Sequence, residues 1–288
     1  MAGKKFAKIY RDAPKEIVDE LLEFRENHPP VRREIGGITW TWRTAGEGPE
    51  SLLILPGATG DGEQPFRNVT ALGKDYRVIS TDYPAVATIG GLLDGLAAVM
   101  DAEAVEAAHV VGGSYGGMVA QCLMRKYPER VRKVVLSHTA APREEGLRKV
   151  KIAGRLLPLL PMWLLRKISL LEIKKQMKPF PEAGAFYVPY FREKLALLTK
   201  ADIRAMTSRV IDLYENYRFK PGDFADWTDR ILIIDAAGDR MVPEESQQLL
   251  RDLYPTARVH TFEGTGHATS VVKPEEYLGA VKEFLAEA

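Results

Sequence analysis

The chain has 288 residues, of which 45% are hydrophobic and 27% are charged. This composition provides enough apolar side chains for a substantial core and is ordinary for a globular protein. Since 40 Lys or Arg residues are balanced by 39 Asp or Glu, the composition excludes a global attraction to nucleic acid.

Targeting and redox features favour a cytoplasmic protein. The N-terminal stretch "MAGKKFAKIYRDAPKE" is basic but lacks the apolar run of a signal peptide. No window approaches the roughly 18 uninterrupted apolar residues of a membrane span. The single cysteine, Cys122, excludes an internal disulfide framework and fits a reducing compartment. We therefore expect a cytoplasmic protein without a membrane span.

In chain order, a first helix is followed by strands that alternate with helices. Residues 14–27 place Ile17, Leu21 and Phe24 at helical spacing. The expected strands are "GITWTWRTAG", "SLLILPG", "YRVISTDYP", "AHVVGGS", "RKVVLSHTA", "RILIIDAAGD" and "ARVHTFEG", and the later helices are "GLLDGLAAVMDAEAV", "YGGMVAQCLMRKYPERV" and "EEYLGAVKEFLAEA". Buried strands alternating with helices predict an α/β fold with a mostly parallel sheet.

The middle of the chain, residues 142–226, contains no convincing strand and interrupts this alternation. We interpret it as a helical insertion over one end of the sheet. Its stretch "RKVKIAGRLLPLLPMWLLRK" is both apolar and basic, and Arg143, Arg148, Lys149 and Lys151 lie near its start. A helix on a membrane surface would show this pattern. A helix packed on the sheet explains it equally well, and we favour that interpretation.

The stretch "HVVGGSYGGMVAQ" surrounds one serine, Ser114, with four glycines. It fits Gly-x-Ser-x-Gly, with a predicted strand before the serine and a predicted helix after it. A sharp strand-to-helix turn exposes a serine nucleophile, and small neighbours keep the turn free of clashes. The helix N-terminus leaves backbone N–H groups that can hold an oxyanion. We therefore predict that Ser114 is a nucleophile.

A serine nucleophile needs a base, and His267 is the best candidate. It follows the last predicted strand in the small-residue loop "FEGTGHATS". His138 competes, because it ends a strand at the same sheet edge as Ser114, but a substrate-lining or structural role suits it better. The remaining histidines are His28, His109 and His260, none of which follows the carboxyl end of a strand.

The acid that orients His267 is predicted to be Asp239, which follows a buried strand by a short turn. Asp235 lies four residues earlier, inside that strand, and is therefore less able to reach a loop histidine. Along the chain, the three candidates therefore occur in the order nucleophilic serine (Ser114), acid (Asp239) and histidine base (His267). No metal-ligand spacing and no phosphate-binding Gly-Lys-Ser/Thr occur, so we expect neither a metal nor a cofactor.

From about residue 36 to the C-terminus the sequence resembles the α/β-hydrolase superfamily, through "ILPGATG", "GGSYGG", "GDRMVP" and "GTGHA" in that order. The resemblance implies an α/β-hydrolase fold and an oxyanion hole from the backbone N–H groups of Ala58 and Tyr115, with Thr59 as the alternative to Ala58. It divides the chain into an N-terminal helical extension, a core and a cap. The expected ranges are 1–35 for the extension, 36–141 and 227–288 for the core, and 142–226 for the cap.

The short segment "DYPAVATIGG" and the stretch "LYPTARVH" look similar to the maspardin-like branch of this superfamily. Members of that branch can lack a complete triad and act in protein interaction, whereas this sequence keeps all three residues, which favours catalysis. The expected function is hydrolysis of a carboxylic ester with a short- to medium-chain acyl group. Carbon–carbon bond hydrolysis, perhydrolysis and a non-catalytic interaction role remain alternatives.

The expected partner is a small-molecule ester, bound by a monomer or small homo-oligomer. Candidate substrate-lining residues are Thr59, His138, Trp163 and Tyr187. The aromatic residues of the insertion can line an acyl pocket or form the core of the cap itself. This set comprises Trp163, Phe180, Phe186, Tyr187, Tyr190 and Phe191.

Overall fold

The computed structural model describes residues 2–287, with the side chains of residues 2–5, 144 and 145 left out. Within these residues, eight strands form one sheet. The strands are β1 (Val31–Ile35), β2 (Ile38–Ala45), β3 (Ser51–Leu55), β4 (Arg77–Thr81), β5 (Ala108–Gly113), β6 (Val131–Ser137), β7 (Ile231–Ala236) and β8 (Arg258–Phe262).

The strand order is β1-β2-β4-β3-β5-β6-β7-β8. The pairs β1–β2 and β2–β4 are antiparallel, and every pair from β4 to β8 is parallel. The central strands are continuous apolar runs because both faces of the sheet are covered, and all six residues of β7 are buried. The predicted α/β fold with a mostly parallel sheet is therefore confirmed.

Helices cover both faces of the sheet. They are α1 (Ala2–Ile9), α2 (Lys15–Asn27), α3 (Phe66–Leu72), α4 (Ile89–Ala102), α5 (Tyr115–Lys126), α6 (Glu144–Leu156), α7 (Met162–Met177), α8 (Pro181–Leu197), α9 (Lys200–Asn216), α10 (Glu244–Leu253), α11 (Thr269–Val272) and α12 (Pro274–Ala286). One buried cluster joins α4, α5 and α10 to the sheet, and a second joins α2, α3, α8 and α12 to the opposite face.

Helices α6–α9 lie between β6 and β7, and we call them the inserted helices. They occupy most of residues 142–226, where the sequence predicts helices and no strand. Helix α6 packs against α9, and α7 packs against α8. The long helix α8 also contacts α1, so the N-terminal segment holds one of the inserted helices. Among the described helices, none is long and apolar enough to cross a membrane.

Some elements were not predicted from the sequence. Strand β1 falls inside the range assigned to the N-terminal extension, and its middle residues, Arg32, Arg33 and Glu34, are exposed. An edge strand pairs on one side only, so it does not need the apolar run that identifies a central strand. Helices α1, α3 and α10 were also missed. They are short, at eight, seven and ten residues.

Candidate active site

Ser114 occupies a sharp turn between β5 and α5. Its backbone has φ 53° and ψ −120°, in the left-handed half of backbone space that side chains other than glycine rarely adopt. Such strain persists only where the surroundings enforce it, and it accumulates at functional sites. The turn leaves Ser114 partly exposed at the carboxyl edge of the sheet, while the residues of β5 before Gly113 are buried.

Neighbouring backbone fixes this turn. The Ser114 N–H donates to the Ser137 carbonyl at 2.9 Å, and the Thr139 hydroxyl donates to the Ser114 carbonyl at 2.6 Å. A methyl group added at Gly116 would lie 2.3 Å from the Leu55 carbonyl oxygen. Only glycine allows α5 to approach β3 this closely. One of the four glycines around Ser114 is thus explained by the contact between this helix and the sheet.

Asp239 lies in the turn after β7, and its side chain is fully buried. One carboxylate oxygen accepts the backbone N–H groups of Met241 at 2.8 Å and Val242 at 3.1 Å. The other accepts from Nδ1 of His267 at 2.8 Å. Burial by itself would raise the pKa of Asp239, but the His138 and His267 rings and the Val242 N–H together hold it well below its ordinary value. Asp239 is therefore an anion at neutral pH.

His267 lies in a short helical turn, Gly266–Ala268, that follows β8. Because ionised Asp239 can only accept a hydrogen bond, Nδ1 of His267 must carry the proton that is shared between them. A neutral His267 ring then has its lone pair on Nε2. This tautomer is the one that a general base needs, and the carboxylate fixes both the tautomer and the ring orientation.

His138 lies directly after β6 and beside the same carboxylate. Its Nδ1 is 3.6 Å from Oδ2 of Asp239, and its ring centroid is 5.8 Å from that of His267, edge to face. The residue is buried with a strained φ of 46°, and its N–H donates to the Ile234 carbonyl at 2.7 Å. Neither ring nitrogen makes a hydrogen bond within residues 2–287. His138 thus lies against the acid and base candidates.

The group His138, Asp239 and His267 has residue types that bind transition metals, and its ligand atoms lie within 4.8 Å of one another. However, coordination through Nδ1 of His267 or Oδ2 of Asp239 would disrupt the 2.8 Å hydrogen bond between these two atoms. Metal binding would therefore compete with the arrangement that prepares His267 as a base. The chemistry of these residues suits acid–base work better than a resident metal.

Asp235, the rejected alternative for the acid, is used elsewhere. It is buried inside β7, and its carboxylate accepts from Nε and Nη2 of Arg251 at 3.0 and 2.6 Å. The side chain thus lies against α10. The sequence argument that a residue within the strand would not reach a loop histidine agrees with this placement.

The predicted oxyanion donors lie on either side of Ser114. A methyl group added at Gly57 would be 3.9 Å from Cβ of Ser114, so the "PG" loop after β3 runs next to the serine. In the part of the chain that the structure describes, the backbone N–H groups of Ala58, Thr59 and Tyr115 donate no hydrogen bond. Tyr115 is the first residue of α5, where N–H groups have no partner inside the helix.

The strand order explains why five residues that are far apart in the sequence lie along the same edge of the sheet. The strands β3, β5, β6, β7 and β8 are parallel neighbours in this order. The loops that follow them carry, in the same order, Ala58, Ser114, His138, Asp239 and His267. The carboxyl ends of parallel strands share one edge, where α/β proteins bind ligands. All five predicted residues therefore lie along a single edge of the sheet.

A pocket of about 250 Å³ opens between α8 and α9 on one side and, on the other, the segment after β3 with Ala58 and Thr59, which we call the oxyanion loop after its predicted role. Its apolar wall comes from the ends of these helices and their connection. The apolar residues are Leu195, Leu197, Leu198, Ile203 and Met206. Its polar wall contains Asp61, Asp82, Lys194 and Arg209.

A buried charge cluster lies behind the polar wall. Glu63 is ion-paired with Arg25 at 2.6 Å, Lys194 at 2.8 Å and Arg43 at 3.1 Å. Burial by itself would raise the pKa of Glu63, but Arg25 and Lys194 lower it to about 2. Sequence reasoning missed the cluster, because its members come from α2, β2, the "DGE" loop and α8 and share no sequence motif.

Arg209 and Lys194 both donate to groups within the protein, but only Lys194 is paired with carboxylates. The guanidinium of Arg209 donates to the carbonyls of Pro84 and Val86, both at 2.8 Å. Lys194 lies 3.1 Å from Asp61 and 2.8 Å from Glu63. The carbonyls occupy N–H groups of Arg209 without neutralising its charge, while the pocket lining as a whole contains three aspartates, Asp61, Asp82 and Asp202, beside these two cations.

Asp82 is the least compensated carboxylate of this wall. Its Oδ1 accepts the Gly62 N–H at 2.8 Å, and the nearest cation, Arg43, is 4.0 Å away. Burial and the neighbouring Asp61 carboxylate raise the pKa of Asp82 to about 6, although Gly62 and Arg43 act in the opposite direction.

Three of the four predicted substrate-lining residues do not line this pocket: His138 lies beside Asp239, and Trp163 and Tyr187 lie in α7 and α8. Trp163, in α7, is 66% exposed. Tyr187 is buried among aromatic side chains, with its ring 5.1 Å from Phe186 and 6.4 Å from Tyr190. Phe186 in turn lies 5.9 Å from Tyr10 of the N-terminal segment. These contacts are those of core packing between α8 and the N-terminal segment. Thr59, in contrast, lines the pocket.

The eight-stranded, mostly parallel sheet flanked by helices is the fold of the α/β hydrolases. The family model described as "Alpha/beta hydrolase family" matches residues 52–280, and the chain belongs to that family. The chain is 28% identical to 2-hydroxymuconate semialdehyde hydrolase of Pseudomonas sp. strain CF600, over 91% of this chain and 96% of that protein.

Two further similarities fit the same family. Maspardin of Danio rerio is 27% identical, over 75% of this chain and 69% of that protein. The crystal structure of a hydrolase from Pseudomonas aeruginosa PA01 superimposes with a TM-score of 0.73 at 20% identity, covering 90% of this chain and 99% of that one. The structural match supports the fold alone. The maspardin match agrees with the resemblance found in the sequence.

Substitution of the two aspartates separates their roles. Asp239→Asn should reduce hydrolytic turnover by roughly 10⁴-fold, because an amide no longer fixes the His267 tautomer. Asp235→Asn should lower the free energy of unfolding by on the order of 2 kcal/mol through weaker bonds to Arg251, with turnover of the folded enzyme within about 3-fold of the parent. Steady-state kinetics and urea denaturation measure both. An inactive Asp235→Asn beside an active Asp239→Asn would contradict the assignment.

The raised pKa of Asp82 makes a stability prediction. A folded-state pKa of about 6 against an ordinary 3.8 means that folding favours the protonated acid. The resulting contribution of Asp82 to the free energy of unfolding is fully present below about pH 3.8 and is lost as the pH rises through about 6. Asp82→Asn keeps an acceptor for the Gly62 N–H but carries no charge. It should therefore stabilise the protein, relative to the parent, more at about pH 8 than at about pH 4.

Urea denaturation at both pH values measures this difference, with the exposed Asp226→Asn as the matched control. The control should show no comparable pH-dependent difference. An Asp82→Asn effect that is equal at the two pH values would contradict the raised pKa of this partly buried carboxylate.

Proposed function

We propose that this protein is a serine hydrolase that cleaves a carboxylic ester through an acyl-enzyme on Ser114. The observation that carries the proposal is the 2.8 Å hydrogen bond from Nδ1 of His267 to buried Asp239. It lies on the same sheet edge as the strained turn that presents Ser114. A base held by an acid, on the same sheet edge as a partly exposed hydroxyl at a helix N-terminus, provides the residue types of an acyl-transfer site.

In this mechanism, Nε2 of His267 accepts the Ser114 hydroxyl proton as Oγ attacks the ester carbonyl carbon. The carbonyl oxygen becomes an oxyanion, which the backbone N–H groups of Ala58 and Tyr115 stabilise. The tetrahedral intermediate collapses, the carbon–oxygen bond to the alcohol breaks, and protonated His267 gives its proton to the leaving alcohol. Water then attacks the acyl-enzyme by the same steps, releasing the acid and restoring Ser114.

Asp239 stabilises the His267 cation that forms at each transfer. Its pKa lies well below the ordinary value, so it stays ionised and does not itself take up the proton. The hydrogen bonds that it accepts from the backbone N–H groups of Met241 and Val242 fix its position. A carboxylate held in this way costs no reorganisation when the charge on His267 appears.

The inserted helices act as a cap in this proposal, because α8 and α9 form one wall of the pocket and the oxyanion loop forms the other. A volume of about 250 Å³ is small for a ligand pocket, which favours a short- to medium-chain acyl group. The apolar wall, Leu195 to Met206, suits such a chain.

Carbon–carbon bond hydrolysis is the second candidate, favoured by the 28% identical relative named 2-hydroxymuconate semialdehyde hydrolase. A muconate-type substrate carries a carboxylate, which a site must balance with a cation. In this pocket Arg209 donates to two backbone carbonyls, Lys194 faces two carboxylates, and Asp82 adds a partly uncompensated acid. Arg209 keeps its charge, but the lining contains three aspartates against two cations, so the pocket suits an uncharged ester better than an anionic one.

A panel of p-nitrophenyl esters from acetate to palmitate, beside 2-hydroxymuconate semialdehyde, tests the proposal. We expect the highest kcat/KM at short or medium chains and a fall at palmitate. Ser114→Ala should reduce ester turnover by roughly 10⁴- to 10⁶-fold. Turnover of the semialdehyde with no ester hydrolysis would move the assignment to the second candidate. Turnover of neither, by folded protein, would contradict a hydrolase.

A further inference from the structure

The inserted helices expose seven large hydrophobic side chains. Their exposed fractions run from 47% at Ile168 to 76% at Leu159. The seven, which we call the apolar patch, are Ile152, Leu156, Leu159, Trp163, Ile168, Leu171 and Leu197. They fall within 46 residues of the chain. Single exposed hydrophobic residues need no explanation, whereas an accumulation of this kind marks an interaction surface.

Contacts near these residues bring separate parts of the patch together. Lys200, at the start of α9, donates to the Pro158 carbonyl at 2.7 Å and also to that of Leu160, so the turn that carries Leu159 adjoins the α8–α9 connection. Arg166 of α7 donates to the Leu198 carbonyl at 2.8 Å. Leu159, Trp163 and Leu197 therefore belong to neighbouring segments of one surface.

Helix α7 shows most clearly that this surface is not used in packing. Its sequence, "MWLLRKISLLEIKKQM", distributes apolar residues around the helix among five charged ones, and only Leu165 and Met177 of its 16 residues are buried. A helix of a globular protein normally turns its apolar residues toward the core, whereas Trp163, Ile168 and Leu171 of α7 face outward. Helix α7 packs mainly against α8, which covers one side of it. The sequence interpretation of this stretch as a helix packed on the sheet does not account for its other sides.

Positive charge accompanies the patch. Residues 143–178 contain ten Lys or Arg against three Asp or Glu, while the whole chain carries only +1, so the rest of the chain is net negative. Several of these cations make no ion pair among the described residues. They are Arg148, Lys149, Arg155, Lys167, Lys174 and Lys178, all of them exposed.

We propose that the apolar patch and its basic residues dock this protein on the surface of an anionic lipid bilayer. Exposed Trp and Leu side chains enter the boundary between headgroups and acyl chains, while Lys and Arg contact lipid phosphates. A second copy of the chain suits the surface less well, because two such basic faces would repel each other across a symmetric interface.

The patch reaches the pocket opening. Leu197 belongs to the patch and also lines the pocket, next to Leu198. A docked molecule would therefore hold the edge of the pocket near the lipid surface. Docking does not depend on catalysis. Vesicle binding can therefore be measured independently of the proposed esterase activity.

Trp163 reports on docking directly. Of the four tryptophans, Trp40, Trp42 and Trp227 are buried, and Trp163 alone is exposed. Full-length protein is mixed with vesicles of phosphatidylcholine, or of equal parts phosphatidylcholine and phosphatidylglycerol. We expect co-sedimentation with the mixed vesicles at least about 10-fold stronger than with phosphatidylcholine alone, weakening with added salt. Tryptophan emission should shift to shorter wavelength on binding.

Matched variants test the location. Trp163→Glu should weaken binding to the mixed vesicles by about 10-fold or more, and Lys174→Glu with Lys175→Glu should do the same by removing charge. Leu22→Glu is the control, since Leu22 is 44% exposed on α2, outside the patch. It should bind as the parent does. Circular dichroism establishes that each variant is folded.

Three results would overturn the proposal. The first is no binding of the folded parent to mixed vesicles, and the second is equal binding by Trp163→Glu and the parent. The third is equally strong binding to both vesicle types, which would remove the role of charge. A parent that forms dimers lost in Trp163→Glu, with no vesicle binding, would assign the surface to a second copy instead.

Discussion

The hydrogen bond between Asp239 and His267 is the interaction on which the proposed chemistry depends. It joins the loops after two neighbouring parallel strands, β7 and β8. Its geometry is therefore set by the sheet register, not by either loop alone. Asp239 can remain an anion while fully buried because two backbone N–H groups and two imidazole rings surround it. Without these partners, a buried carboxylate would take up a proton and could not orient a base.

The strained backbone of Ser114 also depends on the packing of the sheet and its helices. The positive φ of this residue is held by hydrogen bonds to Ser137 and Thr139 and by close packing of α5 on β3, where Gly116 meets the Leu55 carbonyl. His138, the residue directly after β6, has a positive φ as well. Parallel strands of buried Val, Ile and Leu provide the rigidity that such conformations require. The stability of the sheet thus supports both the nucleophile turn and the acid–base pair.

Local patterns were sufficient for much of this arrangement. Continuous apolar runs predicted the central strands, and the small-residue turns after them led to the prediction of Ser114, Asp239 and His267, of which Asp239 and His267 are hydrogen-bonded. The edge strand β1 was not predicted, because its three central residues, Arg-Arg-Glu, are exposed and do not form a continuous apolar run. The cluster of Glu63, Arg25 and Lys194 could not be foreseen, since its members meet only in three dimensions. The position of Trp163 was equally hidden, because an apolar helix has the same sequence whether protein covers it or not.

Covalent labelling with a fluorophosphonate tests the central claim, an activated serine at the turn after β5, most directly. The probe forms a bond to a serine only where a base removes its proton and the hydroxyl is accessible. Mass spectrometry of the digested protein should find the label on the peptide that contains Ser114, and labelling should be lost in a folded His267→Ala variant. A label on a different serine, or equal labelling of Ser114 without His267, would contradict the account.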